Sequence, residues 1–244
     1  MKKQVFLAAL LSFYTTAAVF AQNLLTAQEK KDGFKLLWDG KTSNGWRRAF
    51  SKDFPAQGWE MKNGILTVLP SNGGEEGGGG DILTTDAYSA FELRFEFKLT
   101  EGANSGVKYF VTEAENTGGK SAIGLEYQIL DDAHHPDAKL GRNGDRTLSS
   151  LYDLIPRKNI AAAFKPIGAW NEGRIIVRPD NHVEHWLNGY KMVEYERSSE
   201  AYRQLVAISK YNHWKAFGEA KEGHILLQDH GNQVSFRNIR IKTL

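Results

Sequence analysis

The segment Phe91–Leu99, FELRFEFKL, constrains the fold more than any other part of the chain, because Phe91, Leu93, Phe95, Phe97 and Leu99 alternate with Glu92, Arg94, Glu96 and Lys98. A two-residue period belongs to an extended strand, whose successive side chains point to opposite faces. A slip of one residue would bury all four charges, so the pattern itself sets the register. Such a strand needs neighbours at its edges and a second apolar layer against its phenylalanine face.

The rest of the chain reads as the supply of both. Glycine is frequent (24) and proline scarce (6), a balance that favours tight turns over rigid spacers. In GWEMKNGILTVLP, Asn63 and Gly64 separate two short apolar-containing runs, a strong hairpin signal. WNEGRIIVRPDNHVEHWLNGYKMVEY reads as three strands, joined by turns at residues 179–181 and at Asn188 and Gly189. SGVKYFV and AIGLEYQIL add two more before the polar loop DDAHHPDAKLGRNGD. The last strands fall near residues 224–228 and 233–241, the latter switching its inward face near Arg237 as a bulge requires.

The exception is SSEAYRQLVAISKY, where Ser198 or Ser199 can cap a helix and Tyr202, Leu205, Val206 and Ser209 recur at helical spacing. Residues 22–32 form a polar lead-in with some helical character. The glycine-rich stretch SNGGEEGGGGD at 71–81 reads as a flexible loop, and it lacks the GKS or GKT signature of a phosphate-binding loop. About twelve strands and one short helix predict an all-β fold, a jelly-roll or lectin-like β-sandwich of two antiparallel sheets with one concave polar face.

The first 21 residues pair Lys2 and Lys3 with an apolar run and small residues up to Ala21, the pattern of a signal peptide cleaved before Gln22. Removing the two leader lysines from 31 basic residues leaves 29 against 29 acidic ones, which disfavours a nucleic-acid or polybasic membrane partner. No second apolar run reaches the roughly 20 residues that span a bilayer. The chain has no cysteine, so disulfides, thiolate chemistry and cysteine zinc sites are excluded. A periplasmic or secreted protein with one domain over residues 33–244 is expected.

Candidate chemistry gathers in three places. Glu126 and Gln128 share one strand face, opposite Leu125, Tyr127 and Ile129, either as a site or as a solvated outer face. In HVEHWL, His185 alternates with Val183 and Leu187, while His182, Glu184 and Trp186 take the other face; His185 is a proton-transfer candidate if its face is wet and a hydrogen-bonded core residue otherwise. In the second case Trp186 offers a ring for stacking on a sugar. Gln228, Asp229 and His230 end a strand in LLQDHG. His134, His135 and Asp137 are candidate metal ligands without a recognised spacing, and the adjacent pairs Glu75/Glu76 and Asp131/Asp132 do not establish glycosidase chemistry. GxSxG, HExxH and EF-hand signatures are absent.

The segments GFKLLWDGKTSNGW, GDILTTDAYSAFELRFEFKL, NSGVKYF, GLEYQILDD, LYDLIP, GAWNEGRIIVRPDNHVEHWLNG and GHILLQDHGNQVSFRNIRIKTL together give the chain its recognisable organisation. It resembles the 3-keto-disaccharide hydrolase domain family, whose fold is a concanavalin A-like lectin/glucanase sandwich. The resemblance implies a glycoside or carbohydrate substrate whose sugar carries a 3-keto group, cleaved by hydrolysis or by elimination and hydration with acid-base chemistry at the concave face. It implies Glu126, His185 and His230 as the leading set: His185 or His230 as proton shuttle, and Glu126 as base, histidine orienter or metal ligand. Gln228 or Lys108 would donate to substrate or to an enolate oxygen, with Gln128, Asp131, Trp186 and Asp229 completing the substrate-binding set. No cofactor is required, although a divalent metal could replace a side-chain donor. The same sandwich also serves noncatalytic carbohydrate-binding modules, which are the rival reading.

Overall fold

Phe91–Leu99 is a strand, β6, and none of its five apolar side chains is more than 3% exposed. The computed structural model describes residues 23–71, 78–113, 122–214 and 216–244. The leader at 1–21 and the glycine-rich residues 72–77, with Glu75 and Glu76, lie outside the described residues.

Among the described residues thirteen strands form two antiparallel sheets. The larger runs β11 (Tyr190–Glu196), β10 (His182–Leu187), β9 (Asn171–Val177), β6, β13 (Val234–Thr243), β4 (Ile65–Val68) and β3 (Trp59–Lys62), with β1 (Lys35–Leu36) also paired to β13. The smaller runs β2 (Trp46–Arg48), β5 (Ile82–Tyr88), β12 (Gly223–Leu227), β7 (Asn104–Thr112) and β8 (Ile123–Leu130). The phenylalanine face of β6 meets the core face of the smaller sheet, where Phe95 packs edge-on against Tyr127 at 5.4 Å between ring centroids.

The expected turns form as read: Asn63 and Asn188 take positive φ in the β3–β4 and β10–β11 hairpins. In β13 the pairing with β6 shifts between Arg237 and Arg240, so Val234 and Phe236 point inward before the shift and Ile239 and Ile241 after it. The charged face of β6 is knitted into the surface: Glu92, 4% exposed, lies 2.7 Å from Arg94, 2.7 Å from Arg174 and 3.1 Å from Lys242. Among the described residues two α-helices form, one in the lead-in that was read as having helical character and one in the expected SSEAYRQLVAISKY segment. Helix α1 (Ala27–Lys31), in the polar lead-in, is held by a Thr26–Glu29 capping box and a Glu29–Arg240 ion pair. Helix α2 (Glu200–Ala207) starts at Ser199, whose hydroxyl accepts from the Tyr202 amide. Among the described residues no helix is long and apolar enough to cross a membrane.

His185 faces the core of this sandwich and is fully buried, so of the two places the sequence left open it takes the hydrogen-bonded core, which corrects its inclusion in the leading catalytic set. The reason is its sheet: the inward side of β10 is the His185 side, so Val183, His185 and Leu187 all have 0% exposure. His185 Nδ1 donates to the Ser149 carbonyl at 3.3 Å, leaving Nε2 to accept from the Tyr109 hydroxyl of β7 at 2.8 Å; the Tyr109 oxygen in turn accepts from Tyr195 at 2.8 Å. The imidazole therefore bridges the two sheets as a neutral group. Burial pulls its pKa from 6.5 down to about 4.

The sign follows from linkage: below pH 6.5 the unfolded chain takes a proton that folded His185 refuses, so stability present above that pH is lost as pH falls toward 4. The stability advantage of wild type over His185→Gln should shrink by about 3 kcal/mol between pH 7 and pH 4 in urea unfolding. A difference independent of pH would contradict the neutral bridge.

Candidate active site

The outer face of the smaller sheet carries the polar residues that its alternation turns away from the core. In the β7–β8 pair Lys108 stands opposite Glu126 and Gly106 opposite Gln128, while β12 places Leu226 beside Lys108. Glu126 and Gln128 are 5% and 1% exposed, so this is not the solvated outer face that was one reading of their pattern. Connecting segments cover it: residues 48–51 and 80–81 form one wall, Tyr152 and residues 210–214 another, and Gln228, Asp229 and His230 line the end. Between them lies a cleft of about 830 Å³.

Gly106 explains how a carboxylate fits on this floor. A Cβ at Gly106 would collide with Glu126 Oε1, so the missing side chain leaves room for the carboxylate to lie across β7. Burial pushes the Glu126 carboxyl above the ordinary carboxylate range; Lys108, Lys210 and His230 pull against this, and Asp81 adds to it. The Glu126 carboxylate accepts no hydrogen bond from the described residues, although its backbone carbonyl accepts from the Tyr152 amide. Gln128 Nε2 donates to Asn104 Oδ1 at 3.4 Å, whereas the buried Oε1 atoms of Gln128 and Gln228 have no partner among the described residues. Both residues line the cleft, and an amide oxygen without a protein donor is suited to accept from a ligand's hydroxyl.

Asp81 and Asp229 join two walls reciprocally. The Asp229 amide donates to Asp81 Oδ1 at 2.9 Å, and the Gly80 amide donates to Asp229 Oδ2 at 3.0 Å. Asp229 Oδ1 also accepts from the Gly231 amide at 3.0 Å, so its carboxylate is engaged by backbone. The Lys210 ammonium sits 4.1 Å from the Tyr152 ring centroid, and the His213 and Trp214 rings lie 5.2 Å apart at the rim.

Of the residues singled out in the sequence, Glu126, His230, Lys108, Gln128, Gln228 and Asp229 line this one cleft. Three do not. His185 lies between the sheets. Trp186 is on the outer face of the larger sheet, where its indole donates to Glu184 at 2.8 Å and faces Arg174. Asp131 closes a turn, accepting from the Gly102 and Ala133 amides at 2.8 and 3.1 Å and pairing with His134 at 2.8 Å; despite burial, these bonds hold its carboxyl below the ordinary range.

His134, His135 and Asp137 turn to separate partners, as His135 caps a short 3₁₀ turn and Asp137 binds Arg146 and Tyr152. Among the described residues, the carboxylate and imidazole group close enough to share an ion is His182, Glu184 and Glu194 on the outer face, where Lys191 pairs with both glutamates. Sequence reasoning missed Asp81, Tyr152 and Lys210. Asp81 ends the glycine run read as a loop, and nothing local marks the other two as neighbours of Glu126.

The fold and cleft define a jelly-roll protein of the lectin/glucanase type with a polar, carboxylate-floored groove. A Bacillus licheniformis beta-glucanase shares that fold, with a TM-score of 0.50 at 11% identity over 86% of this chain and 97% of its own. A solved structure from Parabacteroides distasonis with a provisional glycosyl hydrolase designation matches with a TM-score of 0.79 at 29% identity, over 92% of this chain and all of its own. A 3-keto-disaccharide hydrolase of Bacteroides thetaiotaomicron is 38% identical over 233 residues, 87% of this chain and 79% of its own. The family model of the 3-keto-alpha-glucoside-1,2-lyase-like domain matches residues 33–242, and the chain belongs to that family. These relatives place it among the glycoside hydrolases.

The Gly106→Ala variant should displace the Glu126 carboxylate and reduce glycoside turnover by about 10²-fold with little change in melting temperature. Unchanged turnover would show that the carboxylate position does not matter.

Proposed function

We propose that this protein cleaves glycosides whose sugar carries a ketone at C3, using Glu126 as the base, and that it does so outside the cytoplasm. The observation that carries the reading is a buried carboxylate with no hydrogen-bond partner among the described residues, opposite a lysine on the neighbouring strand. A ketone at C3 acidifies the proton on C2. Ionised Glu126 takes that proton, and the Lys108 ammonium stabilises the negative charge that develops on the ketone oxygen. The electron pair then expels the group at C1, its oxygen receiving a proton from His230, and water adds to the resulting double bond to complete net hydrolysis. The orphan amide oxygens of Gln128 and Gln228 accept from hydroxyls of the ring. The family's lyase designation and the hydrolase relative both fit elimination followed by hydration. The signal-peptide pattern of residues 1–21 supports export to the periplasm or beyond.

Because burial raises the Glu126 carboxyl, its titration lies above the ordinary carboxylate value of 4.5, so the acid limb of kcat/KM should lie above that pH. Glu126→Gln should reduce turnover of a 3-keto glycoside by about 10²- to 10⁴-fold. Its melting temperature at pH 7 should equal or exceed that of wild type, since it removes a buried ionised group. Protein of determined metal content is assayed by mass against paired 3-keto and ordinary glycosides. Cleavage of the keto member alone is expected; equal cleavage of both would overturn the reading.

A further inference from the structure

Asp81 stands at the entry to β5, and its two carboxylate oxygens face two different parts of the cleft. Oδ1 accepts from the Asp229 amide at 2.9 Å, within the reciprocal clasp that fixes the segment leading to His230. Oδ2 faces Lys108 Nζ at 3.8 Å, and both side chains are nearly buried, 12% and 9% exposed. The Asp81 carbonyl also accepts from the Ala49 amide at 2.9 Å, tying the residue to the 48–51 wall. One residue thus joins the strand that carries Lys108, the segment that carries His230 and the 48–51 segment of its own wall.

We propose that Asp81 is a positioning residue of the active site, which anchors the Lys108 ammonium on the sheet floor opposite Glu126 and, through the Asp229 backbone, fixes the segment that carries His230. The inference rests on the reading of Glu126 and Lys108 as base and oxyanion donor. A long lysine on a strand sweeps a wide arc unless an opposite charge holds it. Glu126 is the opposite charge directly across the sheet, so a lysine without a second anchor collapses onto the base that it should leave free. Asp81 supplies that second anchor. Burial pushes the Asp81 carboxyl up, while the Lys108 ammonium and the Asp229 amide draw it back toward ionisation.

The substitution Asp81→Asn separates the two functions. The Asn Oδ1 still accepts from the Asp229 amide, so the clasp persists while the charge facing Lys108 is lost. The groups facing Glu126 are Lys108, Lys210, His230, Asp81, Tyr152 and Tyr211. Removing Asp81's negative charge, and with it Lys108's counter-ion, moves the Glu126 titration downward by both routes. The test is to titrate Glu126 by carboxyl ¹³C NMR in wild type and D81N, with steady-state kinetics on a 3-keto glycoside and melting curves that include D81A.

The expected result is a D81N protein that melts with wild type and titrates Glu126 at lower pH. Its kcat should be reduced by about tenfold to a hundredfold, with KM little changed. D81A should show the same titration shift and a lower melting temperature. A Glu126 titration unmoved in D81N overturns the proposal, as does D81N melting as early as D81A. If wild type fails to turn over any 3-keto glycoside, the functional reading falls, while the titration still decides whether Asp81 governs the charge of the floor.

Discussion

The register between β7 and β8 is the constraint on which the rest of the site depends. It sets a lysine opposite a glutamate on a face that the loops then wall into a cleft, and it sets Gly106 where the carboxylate needs room. In water an ion pair of this kind contributes little. Under the loops burial keeps the Glu126 carboxyl high against the pull of Lys108, and the same shielding makes a donor at Lys108 effective. The arrangement costs stability, since a carboxylate without hydrogen bonds is buried on purpose.

That cost is tolerable because the scaffold beneath is over-determined. The β6 phenylalanines and the aromatic residues of β7 and β8 fill the space between the sheets, and the Ser149–His185–Tyr109–Tyr195 chain threads polar contacts through it. Ser149 belongs to the segment that hydrogen-bonds along β8 through the Gln128 and Glu126 backbones and presents Tyr152 to the cleft. The core histidine therefore supports the wall from behind, and the Asp81–Asp229 clasp supports the other side.

The sheet architecture was legible because its signals are local. Alternation in β6, asparagine-glycine turns and the face change near Arg237 each act within a few residues. Glu126 and Gln128 were legible as a pair for the same reason. What alternation does not reveal is which face of a strand meets the second sheet: HVEHWL carries a histidine on each side, and only the packing of β10 against β7 assigns His185 to the core. Asp81 was invisible for a different reason. Its partner Lys108 comes from β7 and Asp229 from the segment after β12, 148 positions away, and no spacing rule connects them. Asp131 and Trp186 share composition with sugar sites, yet one closes a turn and the other belongs to a charged outer surface.

The central claim is that Glu126 removes the C2 proton of a 3-keto sugar. A 3-keto sugar with hydrogen in place of the C1 leaving group cannot be cleaved, so in D₂O any proton abstraction appears as deuterium at that carbon. NMR should show the wild-type protein exchanging C2 and not C4, and Glu126→Gln exchanging neither. Cleavage of 3-keto glycosides by wild type without C2 exchange in this analogue would contradict the account.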